Sequence, residues 1–293
     1  MKLSVIICAY NREDHIKKTL DSLFYQLASK DIYEVIVIDN NSKDKTADIC
    51  IQYIKEKQEL DLKYFLETKQ GLSFARNRGV KESSNEVISF IDDDATATEN
   101  YVENILLTFE QNKNILSIGG KVLPVYPKNE EPVWMSKYLW PVVAKVDQGE
   151  TEHEFKKKYP VGCNMAFRKE TFIKYGLFNE DIKYRGDEKF LFLRLKKEKE
   201  LIYYNPKIIV YHTIPETRLS YESFVKNCIG VGESEKIRAK GNSVWSVIIK
   251  YLEYIFKLGA SLLIGFGFVL KGQFKKATYL IQAMYYILVG LSK

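Results

Sequence analysis

The chain has 293 residues, of which 46% are hydrophobic and 28% are charged. This composition is that of a folded protein with an ample core, and it excludes a fibrous or wholly disordered chain. The formal net charge of +6 is mild and its lysines are spread along the chain, so nucleic-acid binding is not indicated, whereas attraction to an anionic membrane surface is compatible with it.

The cysteines are widely separated and lack the spacing of a metal site: Cys8, Cys50, Cys163 and Cys228. We predict free thiols in a reducing compartment. We expect no signal peptide at the start, because the strand-like run of residues 3–9 follows Lys2 at once. The N-terminal part is therefore expected to stay in the cytoplasm.

Apolar runs and amphipathic stretches alternate through about the first hundred residues. Strands are predicted at residues 3–9, 34–38, 62–66 and 86–91. Helices are predicted between them, at residues 15–27, 46–59 and 71–79. Such alternation implies right-handed crossovers and a mostly parallel sheet, in which ligands collect at the carboxyl ends of the strands. The residues expected to meet there are Tyr10, Asn11, Asp39, Asp92, Asp93 and Asp94.

The fourth predicted strand ends in three consecutive carboxylates, Asp92, Asp93 and Asp94. Strand geometry puts Asp92 and Asp94 on one face, about 6–7 Å apart. Three crowded carboxylates repel, so at least one should hold a proton unless a cation lies among them. Oxygen ligands on a short turn suit Mg²⁺ or Mn²⁺. The sequence therefore favours a metal site, with a solvated acidic turn as the alternative.

Three further residues at this edge each allow two interpretations. Asp39 can accept a hydrogen bond from the N3–H group of a uracil ring, or cap the next helix. Tyr10 can stack on a base, or simply pack. Arg76 can balance the charge of a diphosphate, or lie on a solvated helix face.

Four segments, at residues 5–12, 35–46, 71–79 and 89–94, resemble the family 2 glycosyltransferases of the GT-A fold, in the order found in that family. Weaker similarity continues to about residue 215. The resemblance implies an inverting transferase that uses a nucleotide-sugar donor, most often a UDP-sugar, and a divalent metal, Mn²⁺ or Mg²⁺.

The resemblance also implies roles for individual residues. The nucleoside pocket would be lined by Ala9, Tyr10, Arg12 and Asp39. Arg76 would lie near the donor, Asp92 would face its ribose and diphosphate with Asp93 beside it, and Asp94 would hold the metal.

A long segment at residues 123–159, interrupted by prolines, follows the acidic triplet. Its aromatic residues, Trp134 among them, suit the apolar faces of sugars, and such a loop predicts a lid or an acceptor-binding loop. The alternative is an ordinary loop with core aromatics. Residues 161–168 resemble the acceptor-side strand of the family, where Gly162 would let a sugar approach the backbone and Asn164 would hydrogen-bond it.

Asp187 and Glu188 open a predicted amphipathic helix. Acidic residues in a first helical turn are explained by the helix dipole alone, but the resemblance implies that an acidic pair here supplies the catalytic base. The order of the pair is reversed relative to the family. Glu188 is favoured by position and Asp187 by residue type. His212, at the end of a predicted strand, resembles a histidine that completes the metal shell, with a structural role as the alternative.

The C-terminal region is strongly apolar from residue 244. Two uncharged stretches, 258–270 and 277–292, are joined by a basic turn that contains Lys271, Lys275 and Lys276. Each is shorter than the roughly 20 residues needed to span a bilayer. We predict a helical hairpin lying in the cytoplasmic leaflet. The alternatives are a helical pair packed on the catalytic domain or on a second subunit, and a full two-helix span.

Together these observations predict an α/β protein of the GT-A fold, with a Rossmann-like, mostly parallel central sheet, flanking helices and the C-terminal membrane-associated hairpin. Residues 1–98 would bind the nucleotide-sugar, 99–240 would bind the acceptor and supply the base, and 241–293 would attach to the membrane. The predicted function is an inverting glycosyltransferase acting on a glycan or lipid-linked acceptor for cell-surface polysaccharide, at the cytoplasmic face of the plasma membrane. The alternative is a non-catalytic, membrane-bound nucleotide-sugar-binding module. A homo-oligomer is left open.

Overall fold

A computed structural model of the chain describes residues 1–156, 158–182, 186–241 and 243–293. The strands are β1 (Leu3–Ala9), β2 (Tyr33–Asp39), β3 (Asp61–Leu66), β4 (Val87–Asp92), β5 (Ala95–Ala97), β6 (Ile115–Val125), β7 (His153–Glu154), β8 (Asn164–Arg168) and β9 (Leu201–Thr213). The helices are α1 (Ile16–Phe24), α2 (Thr46–Glu56), α3 (Leu72–Glu82), α4 (Tyr101–Gln111), α5 (Glu170–Tyr175), α6 (Asp187–Lys197), α7 (Tyr221–Lys240), α8 (Val244–Leu270) and α9 (Phe274–Ser292).

The strands form one mixed sheet in the order β3-β2-β1-β4-β8-β6-β9-β5, with β7 paired to β9. The pairs among β1 to β4 are parallel, as predicted from the alternating pattern. From β8 onward the observed pairs are antiparallel, so the parallel part ends at β4. The predicted α/β fold is confirmed, with a sheet that is parallel only in its N-terminal half.

The carboxyl ends of three strands meet at one edge because of this register. Ala9 of β1 lies opposite Asp39 of β2, and Cys8 lies opposite Asp92 of β4. Strand order reverses at β1, because the chain continues from β1 to β2 and β3 on one side and then returns to form β4 on the other side of β1. This is the place where open α/β sheets bind ligands.

Both faces of the sheet are covered, as the continuous apolar runs predicted. Val5 belongs to a buried cluster with Leu20 of α1 and Ile105 of α4. Ile6, which points the other way, lies in a second cluster with Leu191 of α6. Each fully buried aliphatic side chain of this kind contributes about 1.5–3 kcal/mol to stability, so the edge that carries the acidic residues is built on a rigid support.

The chain separates into two compact units. The first consists of residues 1–123, 146–181 and 187–213, and the second of residues 124–145, 182–186 and 214–293. The sequence analysis divided the chain by function, into a donor-binding region that ends at residue 98, an acceptor-binding region that ends at residue 240 and a membrane-attaching region. That functional division stays a prediction.

In the second unit the C-terminal region forms two helices joined by a short turn, as predicted, but the first is longer than expected. α8 runs unbroken for 27 residues. Within it, Glu253 pairs with Lys250 at 2.6 Å and with Lys257 at 2.5 Å, and such pairs support a helix. The prediction of a short first helix was therefore wrong. By length and composition alone, Trp245–Leu270 is the one helix in the described ranges that is long and apolar enough to cross a membrane.

The contact between α7 and α9 depends on two glycines. A Cβ atom on Gly290 would lie 2.0 Å from the carbonyl oxygen of Ile229, and one on Gly232 would lie 2.1 Å from that of Ile287. We expect Gly290→Ala to lower the free energy of unfolding by about 1–3 kcal/mol, since the backbones must separate. Gly267→Ala on α8 is the matched control, because a Cβ there meets nothing within 4 Å and alanine favours the helix. Denaturant unfolding in detergent micelles measures both, and equal stabilities would contradict the tight crossing.

Candidate active site

The acidic end of β4 forms one cluster with a histidine from β9. His212 lies opposite Ala95 in the antiparallel pair of β5 and β9, and its Nε2 is 3.1 Å from Oδ1 of Asp94. One ligand atom from each of Asp92, Asp94 and His212 lies within 4.8 Å of the other two. The structure thus brings together Asp94 and His212, both predicted as metal ligands, and adds Asp92 to them.

The chemistry of this cluster fits a divalent cation. Two carboxylates and one imidazole provide hard oxygen donors and a single nitrogen. Asp94 and His212 are buried, at 7% and 1% exposure, whereas Asp92 is half-buried. Such an arrangement can hold Mn²⁺ or Mg²⁺ while leaving one side open for further oxygen ligands.

Asp93, between the two carboxylates, serves a different purpose. Its Oδ1 accepts a hydrogen bond from Nε of Arg12 at 2.8 Å, and its Oδ2 accepts one from the backbone N–H of Tyr10 at 3.1 Å. Burial raises the pKa of Asp93 to about 7, with Arg12 opposing the shift and the charge of Asp94 adding to it. The contribution of Asp94 has the direction expected for crowded carboxylates, and Arg12, which also lies 3.3 Å from Asp94, is a cation that opposes it.

The residues predicted for the nucleoside pocket lie at the ends of β1 and β2. Ala9 is fully buried and Tyr10 is exposed. Asp39 is buried, and it accepts hydrogen bonds from the backbone N–H of Ser42 at 2.8 Å and from the hydroxyl of Tyr64 at 2.7 Å. Its bond to Ser42 closes the turn after β2 and does not cap α2, which begins at Thr46, so the capping alternative does not hold. The contact with uracil stays a prediction.

The acidic pair at the start of α6 has two unlike environments. Asp187 is fully buried and accepts a hydrogen bond from Nη1 of Arg76 at 2.6 Å. The Glu188 side chain is 16% exposed, and its Oε2 lies 3.6 Å from the same nitrogen. Burial, together with the charge of Asp187, raises the pKa of Glu188 to about 7, although Arg76 acts in the opposite direction. Glu188 is therefore the more exposed member of the pair, with a pKa well above that of an ordinary glutamate.

Arg76 and Gly162 do not occupy the environments expected of them. Arg76 is buried at 3% exposure, which excludes the solvated helix face, and its guanidinium is turned toward Asp187. A Cβ atom on Gly162 would lie 2.1 Å from Nη2 of Arg76. The space beside Gly162 is thus filled by the guanidinium, so the prediction that a sugar approaches the backbone there was wrong.

Asn164 also proves to be internal. It is 1% exposed, and its amide nitrogen donates to the carbonyl oxygens of Lys121 at 2.8 Å and Ile208 at 3.1 Å. Both amide hydrogens are used in joining β8 to the adjacent strand β6 and to β9 on the far side of β6. Asn164 is therefore buried and occupied by the protein's own carbonyl groups, and the predicted hydrogen bond to an acceptor sugar does not hold.

Trp134 is a core residue of the second unit and not an exposed sugar platform. It is 6% exposed, and its ring stacks on Tyr279 with centroids 4.7 Å apart and an interplanar angle of 10°. Phe224 packs edge-on against the same ring at 5.7 Å. The alternative of a tucked-in loop with core aromatics is correct for Trp134.

Tyr64 contacts the predicted site residue Asp39, and the sequence did not reveal this contact. It lies opposite Val37 in the parallel pair of β2 and β3, and its hydroxyl reaches Asp39 from there. A tyrosine inside an apolar run reads as packing, and only the register of the two strands shows that its polar end points at the acidic edge.

The geometry and the comparisons agree on the class of protein. Among solved structures, the chain resembles residues 1–349 of TarS from S. aureus at 20% identity and a TM-score of 0.59, covering 82% of this chain and 70% of that one. It also resembles the mannosyltransferase PcManGT from Pyrobaculum calidifontis, in complex with GDP-Man and Mn²⁺, at 16% identity and a TM-score of 0.65, covering 96% and 85%. These likenesses confirm the GT-A fold.

The family follows from sequence. The model of Glycosyl transferase family 2 matches residues 4–176, more than half of the chain, and the protein belongs to this family.

Two relatives are similar over most of their length. A glucosyl-dolichyl phosphate glucuronosyltransferase of Haloferax volcanii is 25% identical over 81% of this chain and 77% of its own. A dolichyl N-acetyl-alpha-D-glucosaminyl phosphate 3-beta-D-2,3-diacetamido-2,3-dideoxy-beta-D-glucuronosyltransferase of Methanococcus voltae is 23% identical over 80% and 72%. The protein is therefore a glycosyltransferase, and the alternative of a non-catalytic binding module is set aside.

Proposed function

We propose that this glycosyltransferase moves a sugar from a nucleoside diphosphate donor, preferably a UDP-sugar, to a hydroxyl group of a glycan or lipid-linked acceptor, with inversion at the anomeric carbon. The observation that carries the proposal is the cluster of Asp92, Asp94 and His212 at the carboxyl ends of the strands. The relatives with dolichyl phosphate-linked substrates support a lipid-linked acceptor, and the synthesis of cell-surface polysaccharide is the pathway class we assign.

Glu188 acts as the general base. It takes the proton of the acceptor hydroxyl while that oxygen forms a bond to the anomeric carbon and the bond from that carbon to the diphosphate breaks. Asp187 is bound to Nη1 of Arg76 at 2.6 Å and is not the residue that takes the proton. A single displacement from the back inverts the configuration, so no covalent nucleophile is needed.

The donor-side residues hold the leaving group. A divalent cation bound by Asp92, Asp94 and His212 would supply positive charge next to the diphosphate, where negative charge develops. Arg12 adds a partly exposed cation beside the same carboxylates. Asp39 and Tyr10 would position the nucleoside, by a hydrogen bond and by stacking.

The direct test is a donor screen with the purified protein, Mn²⁺, a panel of UDP- and GDP-sugars, and acceptors that are either free oligosaccharides or sugars linked to a polyprenyl phosphate. We expect UDP release with at least one UDP-sugar and a product of inverted configuration by NMR. Release of GDP alone would overturn the choice of nucleotide, and a retained configuration would overturn the mechanism.

We further propose that α8 attaches the enzyme to the cytoplasmic face of the plasma membrane. Its large apolar side chains are exposed, with Phe256 at 76%, Leu263 at 79% and Leu270 at 72%, and the second half of the helix carries no charge. Lys271, in the turn that follows, and Lys275, in the first turn of α9, are both exposed. Apolar side chains beside lysines match the acyl chains and anionic headgroups of a membrane surface.

Vesicle flotation tests this attachment. We expect the protein to float with vesicles containing anionic phospholipid, and Phe256→Glu/Leu263→Glu to reduce the bound fraction at least tenfold, since two large apolar groups no longer enter the bilayer. Ile173→Glu, at a residue of α5 that is 83% exposed, is the control and should float like the wild type. Unchanged flotation of the double variant would refute the attachment, and a lipid-independent dimer broken by it would assign the face to a second copy.

A further inference from the structure

The guanidinium group of Arg76 sits in a closed pocket of the first unit. The residue is 3% exposed, and its Cζ lies 5.9 Å from the ring centroid of Phe90 and 5.6 Å from that of Phe178. Aromatic faces attract a guanidinium and fix its plane. An arginine held in this way has little surface left for a soluble ligand.

Gly162 completes the pocket. A Cβ atom at this position would lie 2.1, 3.0 and 3.2 Å from Nη2, Cζ and Nη1 of Arg76. The whole guanidinium therefore lies over the open side of Gly162, and any larger residue would displace it. The reason for glycine at this place is space for the guanidinium.

The charge of Arg76 is already balanced inside the protein. Nη1 lies 2.6 Å from Asp187 and 3.6 Å from Glu188, and the negative charge of Asp92 further favours the charged guanidinium by raising the pKa of Arg76. Asp187 is fully buried, and a buried carboxylate needs such a partner to stay ionised. A donor diphosphate would have to compete with Asp187 for the same nitrogen.

We propose that Arg76 is a positioning residue for the catalytic base and not a ligand of the donor. Its guanidinium, which fits beside Gly162 because that residue has no side chain, binds Asp187 and so connects the start of α6 to α3. This connection holds Glu188 in place in the first turn of α6. This inference rests on the proposed function, because it assigns the acidic pair to acceptor activation. The resemblance implied that Arg76 lies near the donor, whereas this inference assigns Arg76 to the support of the catalytic base.

The consequences of removing Arg76 differ between the two roles. A donor ligand would be seen as weaker UDP binding, since a charge-assisted hydrogen bond to phosphate is worth at least about tenfold in affinity. A positioning residue would instead leave UDP binding intact and lower the rate of transfer. Arg76 lowers the pKa of Glu188. The loss of its positive charge would therefore shift the acidic limb of the pH–rate profile to higher pH.

The experiment compares three variants with the wild type in the presence of Mn²⁺. Arg76→Gln removes the charge, and Arg76→Gln/Asp187→Asn removes both charges so that no unpaired carboxylate stays buried. Gly162→Ala keeps both charges and displaces the guanidinium. UDP affinity is measured by calorimetry, and transfer is measured from pH 5.5 to 9 with the best donor of the screen, with Arg76→Lys as the conservative rescue.

We expect all folded variants to bind UDP within about tenfold of the wild type, while transfer falls at least a hundredfold and partly returns in Arg76→Lys. The midpoint of the acidic limb should rise in Arg76→Gln. A loss of UDP affinity above tenfold, or full transfer by Gly162→Ala, would overturn the inference while the proposed function stands. A wild-type protein without any transfer would overturn both.

Discussion

Glu188→Gln is expected to lower the rate of sugar transfer by about 10²–10⁴-fold, the usual contribution of a positioned general base, while leaving UDP and Mn²⁺ binding unchanged. The reason is that glutamine keeps the size of the side chain but cannot take the proton of the acceptor. In the wild type, the pKa of Glu188 near 7 makes transfer decline as the pH falls below 7, because the base becomes protonated. That decline should be absent from the residual activity of the variant.

The control is Glu198→Gln, an exposed carboxylate just beyond the end of α6, which should transfer at the wild-type rate. Single-turnover rates and UDP calorimetry across the pH range measure the effect. If Glu188→Gln retained wild-type transfer, or lost UDP affinity together with its rate, the assignment of Glu188 as the base would be wrong.

The same substitution has an expected effect on stability. Because the folded protein raises the pKa of Glu188 from 4.5 to about 7, the ionised carboxylate destabilises the fold above that range and not below pH 4.5. Glu188→Gln should therefore raise the free energy of unfolding at pH 8, by roughly 1–3 kcal/mol, and leave it unchanged at pH 4. Asp187→Asn should lower it instead, since the buried Arg76 loses its partner. Changes of opposite sign in the free energy of unfolding would distinguish Glu188, the base, from Asp187, the residue that supports it.

The parts of this fold that follow from local pattern could be predicted from the sequence. The apolar runs before Asp39 and Asp92 set strands buried on both faces, and their alternation with helices fixes a parallel arrangement in which these two carboxylates share an edge. His212 was reachable only through the resemblance, because the pairing of β5 with β9 that brings it to Asp94 joins residues more than a hundred positions apart.

The acceptor side was less predictable because its residues are satisfied by distant backbone or side-chain groups. Nothing in the sequence around Gly162 shows that Arg76 occupies the space beside it, and nothing around Asn164 shows that two carbonyl groups accept its hydrogens. Trp134 likewise meets Tyr279 across a large sequence separation. A small, polar or aromatic residue in a loop has the same local signature whether it contacts a ligand or the protein's own interior.

Asp94→Asn is expected to abolish the dependence of UDP binding on Mn²⁺ and to lower transfer at least a hundredfold. The variant loses one of the two anionic ligands of the cluster while keeping the shape of the side chain, and the negative charge that attracts a divalent cation falls accordingly. Manganese titration followed by electron paramagnetic resonance measures the metal directly, without turnover. Asp14→Asn, an exposed carboxylate outside the cluster, should bind Mn²⁺ like the wild type.

His212→Asn distinguishes a metal ligand from a merely buried histidine. The amide oxygen of asparagine can replace the nitrogen donor, so Mn²⁺ affinity should fall by about tenfold or more and not vanish, and Mg²⁺ should gain relative to Mn²⁺ because oxygen donors suit it. If His212 were only a structural residue, the substitution would change the stability of the protein but leave the ratio of its Mn²⁺ and Mg²⁺ affinities unchanged. An unaltered ratio in a folded variant would remove His212 from the metal shell and leave the cation to Asp92 and Asp94.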